Sequence, residues 1–224
     1  MCPASFGMKN YIKKRVAVLL SGSGSHLQAL MSDIAAKSTR AHATIVLVVS
    51  NNAKALGLSD AHRAGLPTKV VDHTAFPDRA TFEYALTTAL KAYDVELVCL
   101  AGFMRILTPK FVQVWKGRLI NIHPSLLPLF PGTKTHQQAL ESGVTVHGTT
   151  VHFVDEGLDT GAIILQGSIP IYPTDTVSTL AARITTIEHS LYPRALEAIA
   201  SGQVYLDASG KAIWKYPLSY LGAQ

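Results

Sequence analysis

Val16-Ala17-Val18-Leu19-Leu20-Ser21-Gly22-Ser23-Gly24-Ser25-His26 sets the plan of this chain. A run of apolar residues, a glycine-rich break, and apolar positions at Leu27, Leu30 and Met31 predict a buried strand, a turn and a helix. Glycines let backbone approach an anion, and the free amides at the helix start hold it. The dinucleotide fingerprint needs glycine at position 27, where Leu27 stands, and an acid after the next strand, where Ser50-Asn51-Asn52 stands. A phosphate monoester is favoured instead. The alternative is a plain tight turn in which Ser25 caps the helix.

The alternation continues outward. Ala43 to Val49 reads as a strand, Leu56 to Ala64 as a helix and Thr68 to Val71 as a short strand. Residues 78–93 have helical periodicity, with Phe82, Leu86, Ala89 and Leu90 on one face. Val95 to Leu100 and Arg118 to Ile122 supply further strands. Single helices between strands imply right-handed crossovers and an α/β, doubly wound, mostly parallel sheet. After about residue 143 the style changes. Thr145 to Val154 and Ala162 to Ile171 suggest an antiparallel portion, Thr176 to Ala200 a long helix, and Val204 to Trp214 a hairpin. Ligands of such sheets sit beyond the carboxyl ends of the strands. That rule gathers Ser21–His26, Ser50–Asn52, Gly102–Leu107 and Asn121–Pro131 on one edge.

With 224 residues, the chain suits a single domain, residues 15–224, behind an N-terminal extension, residues 1–14, in which Met8 is an alternative start. A chain of this size buries roughly 70% of its unfolded surface without a metal or disulfide staple. A composition of 48% hydrophobic and 16% charged residues is that of a compact soluble enzyme. The net charge of +5 favours anionic ligands, but only Lys13-Lys14-Arg15 forms a cluster, so small phosphates or carboxylates fit as well as nucleic acid. Cys2 and Cys99 make neither a metal spacing nor a disulfide framework. Cys99, inside Leu97-Val98-Cys99-Leu100, reads as a buried free thiol, in keeping with a reducing cytoplasm. No apolar run approaches a membrane span, and residues 1–14 lack the core of a signal peptide.

Asn121-Ile122-His123-Pro124-Ser125-Leu126-Leu127-Pro128 carries the chemistry. Residues two apart on a strand share a face, so Asn121 and His123 project side by side. A carboxamide and an imidazole there suit oxyanion stabilisation and proton transfer, although a histidine at a strand end also serves as a structural hydrogen bonder. Pro124 then ends the strand. Asp155, Glu156 and Asp159 lie in one turn-prone loop, and any of them can reach across to orient His123; the spacing does not choose, and a solvated acidic loop is the plain alternative. Gly102-Phe103-Met104-Arg105-Ile106-Leu107 combines apolar groups with one cation, as a flat, apolar, acid-tailed ligand requires, or as a simple strand-to-helix turn. His136, His147 and His152 have no zinc-like spacing with a carboxylate.

Over residues 15 to 200 the chain resembles the glycinamide ribonucleotide formyltransferases of purine biosynthesis. The resemblance is carried by Ser-Gly-x-Gly-Ser at 21–25, Ala-Gly-Phe-Met-Arg-Ile-Leu at 101–107, Asn-Ile-His-Pro-Ser-Leu-Leu-Pro at 121–128, His-Gly-Thr-Thr-Val-His-Phe-Val at 147–154 and Leu-Asp-x-Gly at 158–161. It implies the Rossmann-like formyltransferase fold, with formyl transfer from 10-formyltetrahydrofolate to the amine of glycinamide ribonucleotide. Asn121, His123 and Asp159 are then the catalytic set. Gly22, Ser23, Gly24, Ser25 and His26 hold the phosphate, and Glu188 faces the ribose. Arg79, Met104, Arg105, Ile106, Leu107 and Asp155, with Asn121, border the folate. The resemblance implies no metal and no tightly bound cofactor, and small-molecule partners rather than nucleic acid or membrane, for a monomer or homodimer. Two positions depart from the family: His26 stands where asparagine is usual, and Lys134 where histidine is frequent. The His26 amide still suits phosphate, and an imidazolium there adds positive charge.

Related activities share parts of this set. A formyltetrahydrofolate hydrolase, the principal alternative, uses water in place of the amine and carries an N-terminal regulatory domain, whereas the first strand here begins at Val16. An initiator-tRNA formyltransferase needs a further C-terminal domain, and this chain ends about ten residues after Trp214. A non-catalytic nucleotide-binding module accounts for the glycine turn but gives the Asn-x-His and Leu-Asp-x-Gly motifs no purpose. The transferase is the expectation.

Overall fold

The computed structural model describes residues 12–216. Met8, Cys2 and most of the expected extension fall outside the described residues. The elements in order are β1 (Lys14–Leu20), α1 (Ser25–Lys37), β2 (Ala43–Ser50), α2 (Leu56–Arg63), β3 (Thr68–Val70), α3 (Arg79–Lys91), β4 (Leu97–Leu100) and α4 (Pro109–Val114). They continue with β5 (Leu119–His123), α5 (Thr135–Ser142), β6 (Val146–Phe153), β7 (Ile163–Pro170), α6 (Val177–Ala200), β8 (Val204–Leu206) and β9 (Ala212–Trp214).

The large sheet has the order β3-β2-β1-β4-β5-β6-β7, parallel up to β5 and antiparallel from β5 to β7, while β8 and β9 form a separate hairpin. The doubly wound sheet with its antiparallel portion and long helix is thus as the sequence predicts. Lys14 departs from the expected extension and is the first residue of β1. Its N–H donates to His42 O at 2.7 Å and its ammonium meets Glu96 at 2.7 Å.

Period-two alternation divides the core between the two faces of the sheet. Val16, Val18 and Leu20 pack with Leu27, Leu30, Tyr192 and Leu196 on one side; Ala17 and Leu19 pack with Phe82, Leu86, Phe111 and Trp115 on the other. Both faces are covered, which is why β1 has no polar residue between Val16 and Leu20. Cys99 is a buried free thiol, and burial pushes its ionisation up to about 12.

Strand order reverses between β1 and β4, so the crevice beyond their carboxyl ends is the topological switch point where such sheets bind ligands. Helix α6 is fixed over that region. It starts with a capping box at Thr176, and the buried Tyr192 hydroxyl donates to Leu100 O at 2.9 Å, with Ile120 O at 3.3 Å. Glu188 lies about one helical turn before Tyr192 and therefore overhangs the same end of the sheet.

Candidate active site

Ser21 gathers the loops at the switch point. Its N–H donates to Gly102 O at 3.0 Å, its hydroxyl donates to Asn51 Oδ1 at 2.6 Å, and it accepts from the Met104 N–H at 2.8 Å. The loops after β1, β2 and β4 are thereby held around one point. Within the glycine turn the glycines have different tasks. A Cβ on Gly22 would meet nothing within 4 Å, which leaves backbone open to an incoming group. Gly24 has φ +79°, and a Cβ there would lie 2.5 Å from Gly57 Cα on α2. Gly24, not Ser25, is the helix cap, and it provides no side-chain hydrogen bond. The first-turn amides of Ser25, His26 and Leu27 are those a helix leaves without intrahelical partners.

Asn121 and His123 lie at the end of β5, beside the antiparallel strand β6. Register places His152 directly opposite Asn121, with Asn121 Nδ2 3.3 Å from His152 Nε2. The other nitrogen of His152, Nδ1, donates to Phe153 O at 2.8 Å. Burial pulls the ionisation of His152 below the usual imidazole range, so Nε2 keeps a lone pair and accepts the Asn121 N–H. One amide N–H of Asn121 is thereby held, and the second stays available. His123 is buried, with Nε2 2.9 Å from Phe130 O and Nδ1 3.4 Å from Asp159 Oδ2. Acceptors face both ring nitrogens, an arrangement that only an imidazolium satisfies from both sides.

Asp159 is the loop acid that the fold brings to His123. Its Oδ2 also accepts from the Gly132 N–H at 2.9 Å, and its Oδ1 lies 3.7 Å from His152 Nε2. Asp155 instead braces its own loop, accepting from Gly157 N–H at 3.1 Å and the Thr160 hydroxyl at 2.7 Å. Glu156 pairs with Gln113 on α4 at 2.7 Å. Asp159 sits in the left-handed region at φ +55°, which aspartate tolerates better than most residues. The loop closes on Gly161, where a Cβ would fall 1.8 Å from Phe153 O; no other residue fits there without moving β6.

Glu188 is buried at 5% exposure and held from two sides. His26 Nε2 lies 2.9 Å from its Oε2, and the Thr149 hydroxyl lies 3.1 Å from its Oε1 and 2.9 Å from His123 O. The His26 ring thus turns to Glu188. Within electrostatic reach of Glu188, His136 Nδ1 and His147 Nε2 are 3.2 Å apart. Burial, and then the neighbouring His136, push His147 down to about 4, so it is neutral and receives the His136 N–H.

Met104 and Ile106 are 73% and 68% exposed, a large apolar surface to leave in water beside a site. Arg105 and Arg79 line one open cleft together with His73, Phe76 and Phe82. Lys134, in the left-handed region at φ 59°, caps α5 through its backbone alone. Among the described residues no group of three or more His, Cys, Asp or Glu is placed to hold a metal ion, and no helix is long and apolar enough to cross a membrane. Sequence reasoning missed His152 and Thr149 as site residues, because the β5–β6 register that sets His152 against Asn121 leaves no local signal in the sequence.

A doubly wound sheet with an Asn-x-His strand end, an aspartate from the next loop and a glycine turn at the switch point is the arrangement expected from the sequence resemblance to formyltransferases. The formyl transferase family model matches residues 14–196. Phosphoribosylglycinamide formyltransferase of Escherichia coli (strain K12) is 44% identical over 199 residues, 89% of this chain and 92% of that protein. The solved phosphoribosylglycinamide formyltransferase of Coxiella burnetii superposes with a TM-score of 0.86 at 40% identity, covering 94% of this chain and 98% of that one. The human trifunctional purine biosynthetic protein adenosine-3 is 50% identical over 202 residues, 90% of this chain but 20% of its own length. The chain thus spans about a fifth of that trifunctional relative. The chain belongs to the formyl transferase family and, within it, to the phosphoribosylglycinamide formyltransferases.

Proposed function

We propose that this chain transfers the formyl group of 10-formyltetrahydrofolate to the amine of glycinamide ribonucleotide, giving formylglycinamide ribonucleotide and tetrahydrofolate. The observation that carries this reading is the convergence of Asn121, His123 and Asp159 beside an open glycine turn, with Asp159 Oδ2 3.4 Å from His123 Nδ1. Residues 15–224 act as one formyltransferase domain. The reaction runs in the cytoplasm, where a buried free thiol such as Cys99 stays reduced.

In this reading the amine nitrogen attacks the formyl carbon and the C=O electrons move to oxygen. The free N–H of Asn121 and the His123 imidazolium hold that oxyanion, and Asp159 stabilises the imidazolium. The proton lost by the amine passes through His123 or an ordered water to N10. The C–N10 bond then breaks, and the formyl group stays on the ribonucleotide. Substrate competes with the Phe130 carbonyl for the Nε2 edge of His123. No covalent enzyme intermediate is needed, and positioning of two substrates supplies much of the acceleration. The amides of residues 22–26 bind the phosphate and Glu188 the ribose. Arg79, Met104–Leu107 and the loop around Asp155 border the folate, whose carboxylates suit the two arginines.

The deciding experiment follows tetrahydrofolate formation by absorbance with and without glycinamide ribonucleotide. Turnover that depends on the ribonucleotide supports the transferase. Release of formate without it identifies a hydrolase and overturns the reading.

A further inference from the structure

We propose that His26 is a positioning residue for the ribonucleotide: from the first turn of α1 it fixes the Glu188 carboxylate in the orientation that meets the ribose hydroxyls. The proposal rests on the functional reading above and adds to it a residue whose side chain touches neither reacting atom.

Glu188 is a buried acid on α6, and a buried carboxylate is costly unless its oxygens are engaged. Each oxygen has one partner from a different element. His26 Nε2 on α1 is 2.9 Å from Oε2, and the Thr149 hydroxyl on β6 is 3.1 Å from Oε1. The Thr149 hydroxyl has one proton to divide between Oε1 and the nearer His123 O, at 2.9 Å, so the orientation of the carboxylate depends chiefly on His26. The Glu188 side chain still has lone pairs to spare, since a carboxylate accepts about four hydrogen bonds. A pair of adjacent hydroxyls is the ligand chemistry that such a group recognises.

The clamp is itself held. The His26 ring packs edge-on against His189 and Tyr192, with centroids 5.6 and 6.3 Å away. Tyr192 is anchored to the carbonyls of Leu100 and Ile120. His26 also follows the glycine turn directly, so one helix start presents amides to a phosphate and an imidazole to the acid beside it. A ribose 5′-phosphate carries its ester and its hydroxyls only a few bonds apart, which matches that juxtaposition. Orientation fixed before binding lowers the ordering cost of association. A role confined to tying α1 to α6 would cost stability with no preference between the two substrates.

The test measures KM for each substrate, and calorimetric binding of glycinamide ribonucleotide, for wild type, H26L and H26Q. Leu removes the donor; Gln can return an N–H to Glu188. H26L is expected to weaken the ribonucleotide about tenfold, because the ligand must then order the Glu188 carboxylate itself, while KM for the formyl folate holds. H26Q should recover to within about threefold of wild type. If leucine prevents folding, H26S removes the ring without adding apolar bulk and is compared with H26Q in the same way. Equal ribonucleotide binding by wild type and H26L, or equal loss for both substrates, overturns the proposal alone. Failure of wild type itself to bind the ribonucleotide overturns the functional reading beneath it, and the proposal with it.

Discussion

His152 Nε2 lies 3.3 Å from Asn121 Nδ2 across the β5–β6 ladder and accepts one of the two amide hydrogens. That bond sets which way the carboxamide faces: the NH2 end stays within the site and the carbonyl end turns away from the ring. Replacing His152 with phenylalanine keeps the bulk and removes the acceptor. Turnover should fall about tenfold, from an Asn121 free to flip, with a smaller effect on either KM. Steady-state kinetics decide it, and unchanged turnover would mean Asn121 is oriented by other contacts.

Asn121→Ala removes the proposed oxyanion donor itself. A loss of about 2.7–4 kcal/mol in transition-state stabilisation, roughly 10²–10³ in kcat, is expected by analogy with other such donors. Full turnover in this variant would remove Asn121 from the chemistry.

Asp159→Asn keeps the shape of the loop and removes the charge 3.4 Å from His123 Nδ1. The expected result is a large fall in kcat with ribonucleotide affinity nearly intact. Loss of ribonucleotide binding in calorimetry would instead assign Asp159 to holding substrate.

His147 provides a pH dependence. Its ionisation is pushed down to about 4 by burial and by His136, below its ordinary value of 6.5 in the unfolded chain. Between these values the unfolded chain binds the extra proton and the folded one does not. Stability is therefore fully present above about pH 6.5 and is lost as pH falls toward 4, by up to about 3 kcal/mol. Denaturant titrations across this range should show the acid slope in wild type and a shallower one in His147→Leu. Equal slopes would assign the acid sensitivity to other groups.

Much of this architecture was legible before the structure. The buried run Val16–Leu20 and the apolar stripe Phe82, Leu86, Ala89 and Leu90 gave β1 and α3, because a central strand and an amphipathic helix leave unambiguous periods. Helix α5 was missed although Gly143 ends it in the left-handed region at φ 72°; a polar eight-residue helix has too short a stripe to show. Helix α4, with Pro109 in its first turn after the Thr108 cap, was passed over for the same reason. In the site, Asn121 and His123 were readable because both sit on one strand. The choice among three loop acids was not readable from spacing, because it depends on where a turn folds back in space. His152 and Thr149 needed the β5–β6 register, which no local pattern encodes.

Gly24 and Gly57 share one contact, with a Cβ on Gly24 reaching 2.5 Å from Gly57 Cα and one on Gly57 2.9 Å from Gly24 Cα. Neither position can drift alone, since a side chain at either one would wedge the turn off α2. Variation that retunes this turn is channelled into its remaining positions, Gly22, Ser23, Ser25 and His26. A randomised library built across the turn should return survivors that keep both glycines and differ at the other sites. The departure at His26 is then the kind of change such a constraint permits: the backbone cradle stays invariant while its neighbour is free to acquire new contacts.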